Sequence, residues 1–240
     1  TEDQETVVNI FAKYDLTVLP VVDGEGRLVG IVTVDDALDV LQEETTEDFE
    51  KMAAITPTDR PYLKKSVLEI WRSRIPWLLL LMISATFTGM IISHFEDALK
   101  TYVLLTAYIP MLMDTGGNSG SQASVTIIRG LSLNELEFRD LFRVVWKEFQ
   151  VAILAGVTLA VFNFVKLIVV DQVSLLLALV ICLTLMLTVF VAKLAGCTLP
   201  MLAQKAGFDP AVMASPFITT IVDALSLLIY FRIATVLLGL

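Results

Sequence analysis

A single carboxylate, Asp223, lies within the long apolar segment 211–240 near the end of the chain. Ser215 and Thr219 precede it at intervals of four residues, which places the three side chains on one face of a helix. An ionised carboxylate near the middle of a bilayer costs at least about 2.5–3.5 kcal/mol, so it persists only beside water, a cation or a polar partner. Pro216 has no N–H and is expected to leave a backbone carbonyl free as a further acceptor. The pattern favours ion binding over polar packing between helices.

A second polar segment interrupts the apolar stretch 101–128. Its proline loosens a helix, its glycines let backbones approach closely, and its two amides are neutral oxygen donors. Packing of small residues would explain the glycines alone but not the amides. The candidate pore-lining residues here are Pro110, Gly116, Gly117, Asn118 and Gln122.

These donors are all oxygens, and such a set suits a hard cation. His94 is the only histidine, and Cys182 and Cys197 lie apart in apolar segments, which disfavours zinc or copper chemistry. Mg²⁺ dehydrates reluctantly and commonly keeps several waters. One carboxylate per subunit, doubled across a two-fold axis, would hold hydrated Mg²⁺. On this chemistry alone Mn²⁺, Co²⁺ or Ca²⁺ at the same sites is nearly as good a fit.

These segments require membrane helices to position them. The chain is 56% hydrophobic and 18% charged, against about 45–50% and 25% in soluble domains. At about 20 residues per span, the apolar stretches predict a five-helix transmembrane pore domain over 75–240. Lys and Arg gather before the first span and in alternate loops, which predicts a multi-pass cell (inner) membrane protein with a cytoplasmic N-terminus and an extracytoplasmic C-terminus. The basic segment 57–74 is predicted to be an amphipathic interfacial helix.

The N-terminal quarter is strongly acidic. Residues 1–60 carry 15 acidic and 4 basic side chains, whereas the remaining 180 residues carry 11 and 13. Such a surface repels nucleic acid and attracts metal cations. Its periodicity predicts a helix, a hairpin and the start of a second helix over 1–41, continued by an acidic connecting helix over 36–56. The predicted fold class is therefore an all-α membrane domain of five helices, preceded by a partial α/β domain and a long acidic helix.

The segment LPVVDGEGRLVGIVTVDDAL resembles the second half of a CBS domain. In that family a Thr and an Asp at matching positions hold an adenine nucleotide, so the resemblance implies a nucleotide contact at Thr33 and Asp36. CBS domains work as pairs, and only part of one is present. We therefore expect the chain to be a piece of a longer protein, and we do not expect this piece alone to bind ATP.

Two further segments, PMLMDTGGNSGSQAS and DPAVMASPFITTIVDALSLLIYF, resemble the MgtE family of bacterial magnesium channels. The resemblance covers nearly the whole chain and implies a homodimer whose Mg²⁺ pore is lined by the second and fifth spans. It implies that Asp223 binds the hydrated ion, with Thr219 and Asn118 nearby and Pro216 beside the pore. Known members carry Asn where Ser215 stands, and the shorter hydroxyl is expected to shift an inner site or to act through water.

The same resemblance implies gating by cytosolic Mg²⁺, which bridges acids of the CBS module and of the connecting, or plug, helix. Divalent ions would screen the acidic region and let its surfaces pack, and their loss would open the pore. Since the CBS module is incomplete here, we expect flux through this piece to be poorly inhibited by Mg²⁺. The matching positions are Asp3, Glu5, Asp15, Asp36, Asp39, Glu44, Glu47 and Asp48.

Three competing functions are weighed against a channel. A cation-coupled transporter of divalent metals usually shows internal repeats and several membrane carboxylates, whereas this sequence shows no repeat and only Asp114 and Asp223. The tripeptide Asp114-Thr115-Gly116 has the sequence of the aspartic-protease motif. The helical context and Val222 before Asp223, the second carboxylate, disfavour an intramembrane protease. A nucleotide sensor with a membrane anchor leaves the polar stripe unexplained. We therefore predict an ion channel with no catalytic residues, not an enzyme.

Overall fold

The computed structural model describes residues 3–58 and 60–239, with the side chain of Ser215 outside the described set. The chain forms two compact units. The first runs to Lys51 and resumes from Ile55 to Ser73; the second comprises Met52–Ala54 and the chain from Arg74 onward. Each unit is described separately below.

The first unit is a helix, a hairpin and a second helix: α1 (Gln4–Tyr14), β1 (Val18–Val22), β2 (Leu28–Thr33) and α2 (Val34–Met52). The strands are antiparallel. The turn between them is built by Asp23, whose carboxylate accepts the N–H groups of Glu25 at 2.9 Å and Arg27 at 3.0 Å. Gly26 takes the left-handed conformation (φ 78°) that this turn requires. The order of elements predicted for this part of the chain is confirmed.

A small apolar core joins α1, the hairpin and α2. It buries Val8, Phe11 and Ala37, as the helical spacing predicts. The hairpin also carries apolar residues that face outward, and Leu28 and Ile31 are 67% and 60% exposed. An exposed apolar face of this kind is typical of a surface that packs against another element.

Two predicted boundaries differ from the structure. The acidic helix predicted over 36–56 ends at Met52, because Ala54 adopts a left-handed conformation (φ 54°). The described part of 57–74 contains no separate interfacial helix: after a short 3₁₀ turn at Tyr62–Lys64, α3 (Val67–His94) continues unbroken into the first apolar span. A capping box sets its start, since the Ser66 N–H donates to the Glu69 carboxylate at 2.7 Å and the Glu69 N–H donates to the Ser66 hydroxyl at 3.2 Å.

The second unit contains most of α3 and five further helices. These are α4 (Glu96–Thr101), α5 (Leu104–Ser132), α6 (Leu141–Val169), α7 (Leu175–Lys205) and α8 (Ser215–Leu238). In the described part of the chain, α3, α6, α7 and α8 are long and apolar enough to cross a membrane. The 29-residue α5 is equally long, but its polar residues lower its hydropathy. Four of the five predicted spans thus have the composition of membrane helices, and the chain is a multi-pass membrane protein.

The last predicted span is interrupted at its start. A 3₁₀ turn at Pro210–Met213 is followed by extended backbone at Ala214, and only then does α8 begin. Pro216 therefore lies in the first helical turn, where its missing N–H breaks no hydrogen bond within the helix. The carbonyl predicted to be free, that of Val212, lies in the 3₁₀ turn before α8, and its role as an acceptor stays a prediction.

Helices α5, α7 and α8 form the centre of the second unit. Their shared core includes Leu112, Ile181 and Phe231, all fully buried. Close contact depends on small residues: a Cβ on Gly120 would lie 2.8 Å from Ile218 Cγ2 and 3.1 Å from the carbonyl oxygen of Ala192. Glycine at this position lets α5 approach α7 and α8 at once.

Candidate cation-binding cavity

A cavity of about 470 Å³ lies between α5 and α8. Its polar lining is contributed by carboxylate, amide and hydroxyl side chains, and its apolar lining by side chains of α5. The lining residues are Ile109, Pro110, Met113, Asp114, Gly117, Asn118, Thr219 and Asp223. The structure therefore brings together Asp223, Thr219 and Asn118, which the sequence placed in two separate segments.

Two carboxylates, Asp114 and Asp223, line this one cavity. Asp223 is half-buried and Asp114 is exposed. Neither makes a hydrogen bond or an ion pair with another described residue. Two unpaired carboxylates at one cavity of a membrane domain demand water or a cation, because their mutual repulsion is otherwise uncompensated.

Thr219 holds its place through its own helix. Its hydroxyl donates to the carbonyl of Pro216 at 3.0 Å, which leaves the hydroxyl oxygen as an acceptor on the cavity side. Gly117 of α5 lies directly against Thr219, because a Cβ at this position would be 3.0 Å from Thr219 Cγ2. Glycine at this position therefore lets α5 and α8 meet directly behind the polar groups.

Not every predicted pore-lining residue lines the cavity. Gly116 is buried on another side of α5, where a Cβ would lie 2.6 Å from Thr188 and 2.9 Å from the hydroxyl of Ser226, so its observed role is packing. Gln122 is exposed one helical turn beyond Asn118, on the same face of α5 but outside the cavity lining. Pro216 lies in the first turn of α8 and does not line the cavity, and the side chain of Ser215 lies outside the described residues.

Two hydrogen bonds that the sequence did not suggest fix α8 against α5. The buried hydroxyl of Ser124 donates to the carbonyl of Met213 at 2.9 Å, just before α8 begins. At the other end, the buried hydroxyl of Tyr230 donates to the carbonyl of Leu105 at 3.0 Å. These bonds set the position of Asp223 along α5. Asp114 was also absent from the predicted metal set, although its spacing of four residues from Asn118 places both on one face.

A buried ion pair lies between α6 and α7. Lys193 Nζ is 3.7 Å from Glu148 Oε2, and the two side chains are only 7% and 15% exposed. Glu148 Oε2 has no hydrogen-bond donor in the described part of the chain. The apolar run 172–192 ends before Lys193, yet α7 continues through it to Lys205. The sequence analysis did not identify this pair, because the apolar pattern ends just before Lys193.

In the first unit, several of the predicted Mg²⁺-sensing acids lie close enough for their charges to act on one another. Partial burial, followed by the charges of Glu47, Glu5 and Asp3, raises the pKa of Glu44 above its usual range. Glu47 also pairs with Lys51 at 2.5 Å. Within residues 3–58 and 60–239, no group of three or more His, Cys, Asp or Glu side chains is arranged to hold a metal ion. The acids cluster in charge rather than in a preformed ligand set.

The remaining predicted sensing acids lie elsewhere in the first unit. Asp15 takes the left-handed conformation (φ 51°) that ends α1. Asp36 accepts the Thr33 hydroxyl at 2.5 Å and its N–H at 3.2 Å, and the hydroxyl bond foremost holds the pKa of Asp36 below its usual range. Asp39 is exposed and Asp48 half-buried on α2. The two residues of the nucleotide-like motif thus bond to each other at the junction of β2 and α2.

Long apolar helices beside a cavity with carboxylate, amide and hydroxyl groups in its lining define the class, a multi-pass membrane protein with a polar cavity between two of its helices. The family profile described as "Divalent cation transporter" (MgtE) matches residues 109–233, more than half of the chain, and the CBS domain profile matches residues 1–43. The chain belongs to the MgtE family of divalent cation transporters.

Curated relatives support the same assignment. The chain is 44% identical over 236 residues to the magnesium transporter MgtE of Thermus thermophilus and 41% identical over 234 residues to that of Bacillus subtilis. Each match covers 98% of this chain and 52% or 51% of the relative. The magnesium transporter MgtE of Enterococcus faecalis is 35% identical over 236 residues. The chain thus spans about half the length of the curated relatives that it matches.

Proposed function

We propose that this chain forms the pore of a magnesium channel that conducts hydrated Mg²⁺ through a homodimer. The observation that carries the proposal is the cavity between α5 and α8, where Asp114 and Asp223 are unpaired among the described residues. The relatives are named magnesium transporters, which agrees with an oxygen-only donor set.

A dimer suits the chemistry of this cavity. Mg²⁺ commonly keeps several waters and takes one or two carboxylates, and a two-fold axis beside Asp223 would present one from each subunit. The axis would also bring the face of α5 that carries Asn118 and Gln122 into the pore. In this arrangement α5 also crosses the membrane, as the second of five spans, and it is polar because it faces ions and water.

The orientation and gating follow from charge. The positive-inside rule places the N-terminus in the cytoplasm and the C-terminus outside. The acidic surface of α1 and α2 would then face cytosolic Mg²⁺, and Glu44 is the group there whose ionisation is already disfavoured. Bound Mg²⁺ would neutralise this surface and favour the closed state. The apolar outer face of the hairpin is the proposed contact with further CBS elements.

The proposal is tested by Mg²⁺ flux into liposomes that contain the 240-residue chain. Asp223→Asn removes the carboxylate with little change of shape and is expected to reduce flux at least about tenfold, the effect of losing roughly 1.4 kcal/mol of ion binding. Asp97→Asn is the matched control, because Asp97 is an exposed carboxylate on α4 outside the cavity. Equal flux in the parent and Asp223→Asn would refute the proposed pore.

The same liposomes separate a channel from a coupled transporter. A channel is expected to pass Mg²⁺ down its own gradient when proton and sodium gradients are collapsed by ionophores. Flux that stops under these conditions would instead favour a cation-coupled divalent metal transporter.

A further inference from the structure

A second cavity, of about 670 Å³, lies between α5, α6 and α7, away from the residues that line the first. Most of its lining is apolar, with Leu104, Met111 and Phe162 among the residues. Leu104 and Phe162 are 46% and 75% exposed, so the cavity lies at the outer surface of the helices. In a multi-pass membrane protein such a surface faces lipid tails, and a volume of this size is ample for a bound small molecule.

One buried polar side chain of this cavity is only partly satisfied: Asn163 interacts with the Cys182 thiol of α7, a weak hydrogen-bonding group. Asn163 of α6 is only 6% exposed and lines the cavity. Its Nδ2 is buried and has no hydrogen-bond acceptor among the described residues. A buried amide donor without an acceptor is rare and costly, and inside lipid no bulk water relieves it. An occupant that brings an acceptor, such as an ester carbonyl, would satisfy Asn163.

Charges of both signs stand at one end of the same cavity. Lys166 Nζ is 2.7 Å from Asp171 Oδ2, and the Tyr108 hydroxyl donates to the same oxygen at 3.0 Å. The Lys166 side chain is 43% exposed and that of Asp171 is 22% exposed. Asp171 lies between α6 and α7, beyond the ends of both helices. A head group with one positive and one negative charge could pair its negative group with Lys166 and its positive group with Asp171, so that neither side chain would lose a charged partner.

The spacing along α6 matches the order of groups in a phospholipid. Asn163 lies three residues before Lys166, a rise of about 4.5 Å along a helix, on the side toward the middle of the span. In a phospholipid the glycerol ester carbonyls likewise lie deeper than the phosphate, and the acyl chains lie deeper still.

We propose that this cavity binds one zwitterionic phospholipid. An ester carbonyl accepts from Asn163 Nδ2, an acyl chain fills the apolar part, the phosphate lies at Lys166 and the amine at Asp171. The site is separate from the ion pathway, so the proposal stands or falls independently of the proposed function.

Lipid retention by the purified 240-residue chain tests this site. The protein in detergent is titrated with phosphatidylethanolamine or phosphatidylglycerol, and bound lipid is counted by native mass spectrometry. The parent is expected to retain one phosphatidylethanolamine per chain, and Asn163→Leu to weaken that retention at least about tenfold. Thr158→Val is the matched control, because the Thr158 hydroxyl on the same helix is exposed and donates to the carbonyl of Leu154, away from the cavity lining.

A second variant and a covalent probe keep the test decisive if Asn163→Leu does not fold. Leu159→Trp fills the cavity while Asn163 remains, and it is also expected to lose the lipid. Phosphatidylethanolamine with a photoreactive acyl chain is expected to label residues 104–115 and 159–166 in the parent. Equal retention in the parent and both variants, or labelling only elsewhere, would overturn the proposal. Preferred retention of phosphatidylglycerol would contradict a zwitterionic head group. Phe162→Cys provides a further check: a disulfide that joins two copies through this cysteine would show that a second chain, and not a lipid, covers the cavity.

Discussion

At the scale of single residues, the chemistry of the ion pathway rests on carboxylates that the fold leaves unpaired. Asp223 lies on α8 and Asp114 on α5, and both line one cavity. The elements around them are held by bonds that do not involve either carboxylate, such as Ser124 to the carbonyl of Met213. The two acids are therefore available to an ion, and they differ in exposure.

Asp114→Asn is expected to weaken Mg²⁺ binding without abolishing flux. Asp114 is exposed, so its charge acts on the ion through water, where a carboxylate and a divalent ion about 8 Å apart interact by about 1 kcal/mol. The Mg²⁺ concentration for half-maximal flux should rise about fivefold. Flux measured over a range of Mg²⁺ in liposomes checks this, with Asp97→Asn as the control. An unchanged half-saturation would show that Asp223 alone acts on the ion.

The sequence revealed these residues unevenly, for a physical reason. Asp223, Thr219 and Asn118 were predicted because their polarity interrupts apolar segments, a signal contained in the local pattern. Asp114 carries the same signal, but it was weighed only as a carboxylate of a coupled transporter or a protease and not as part of the pore. The partner of Ser124 is a backbone carbonyl 89 residues away, and local periodicity carries no information about it.

At the scale of helices, charge and small residues fix how α5, α6 and α7 meet. The Lys193–Glu148 pair joins α6 to α7, and the glycines of α5 let α7 and α8 lie close. The apolar pattern located these helices, but it ended too early for α7, which continues through Lys193 to Lys205, and it did not reveal the interrupted start of α8. It could not show which faces meet, because an all-apolar helix has no distinct face in its sequence.

Lys193→Met alone is expected to destabilise the protein strongly. It leaves Glu148 buried without its cation, a change that typically costs about 3–5 kcal/mol. Glu148→Leu combined with Lys193→Met should recover most of that loss, since both charges are then gone. Unfolding by denaturant in detergent measures the free energies, and the double variant reveals the coupling.

The pair on α4 is the matched control for that experiment. Lys100 lies 2.9 Å from Glu96, but both side chains are more than 60% exposed. Lys100→Met should therefore cost less than about 1 kcal/mol. Losses from the two α6–α7 substitutions that simply add would contradict a coupled buried pair.

At the scale of the whole molecule, charge is divided between the two units. The total of −9 is carried by the first 60 residues, whereas the rest of the chain is slightly basic. This division was evident from the sequence alone. Which acids repel one another was not, because Glu44 on α2 is brought near Asp3 and Glu5 only by the packing of α1.

Glu44→Gln tests whether the acidic unit is held under repulsion at neutral pH. The pKa of Glu44 is raised above 4.5, so folding favours its protonated form. The stability that this group contributes is present below its ordinary pKa and is lost as pH rises through the raised value. Glu44→Gln should therefore stabilise the 240-residue chain at pH 7.5, on the order of 0.5 kcal/mol by analogy with like charges on a helix, and have little effect near pH 4.

Added Mg²⁺ distinguishes this repulsion from a general gain in stability. Mg²⁺ should raise the thermal unfolding midpoint of the parent more than that of Glu44→Gln, because the variant has less charge to neutralise. Glu43→Gln is the matched control, since Glu43 is the neighbouring acid on α2 and is exposed. If both variants gained the same stability at pH 7.5, and Mg²⁺ raised their unfolding midpoints equally, the effect would come from net charge and not from the cluster around Glu44. A gain confined to Glu44→Gln, absent at pH 4 and diminished by Mg²⁺, would tie the acidic unit to the ion that the pore is proposed to carry.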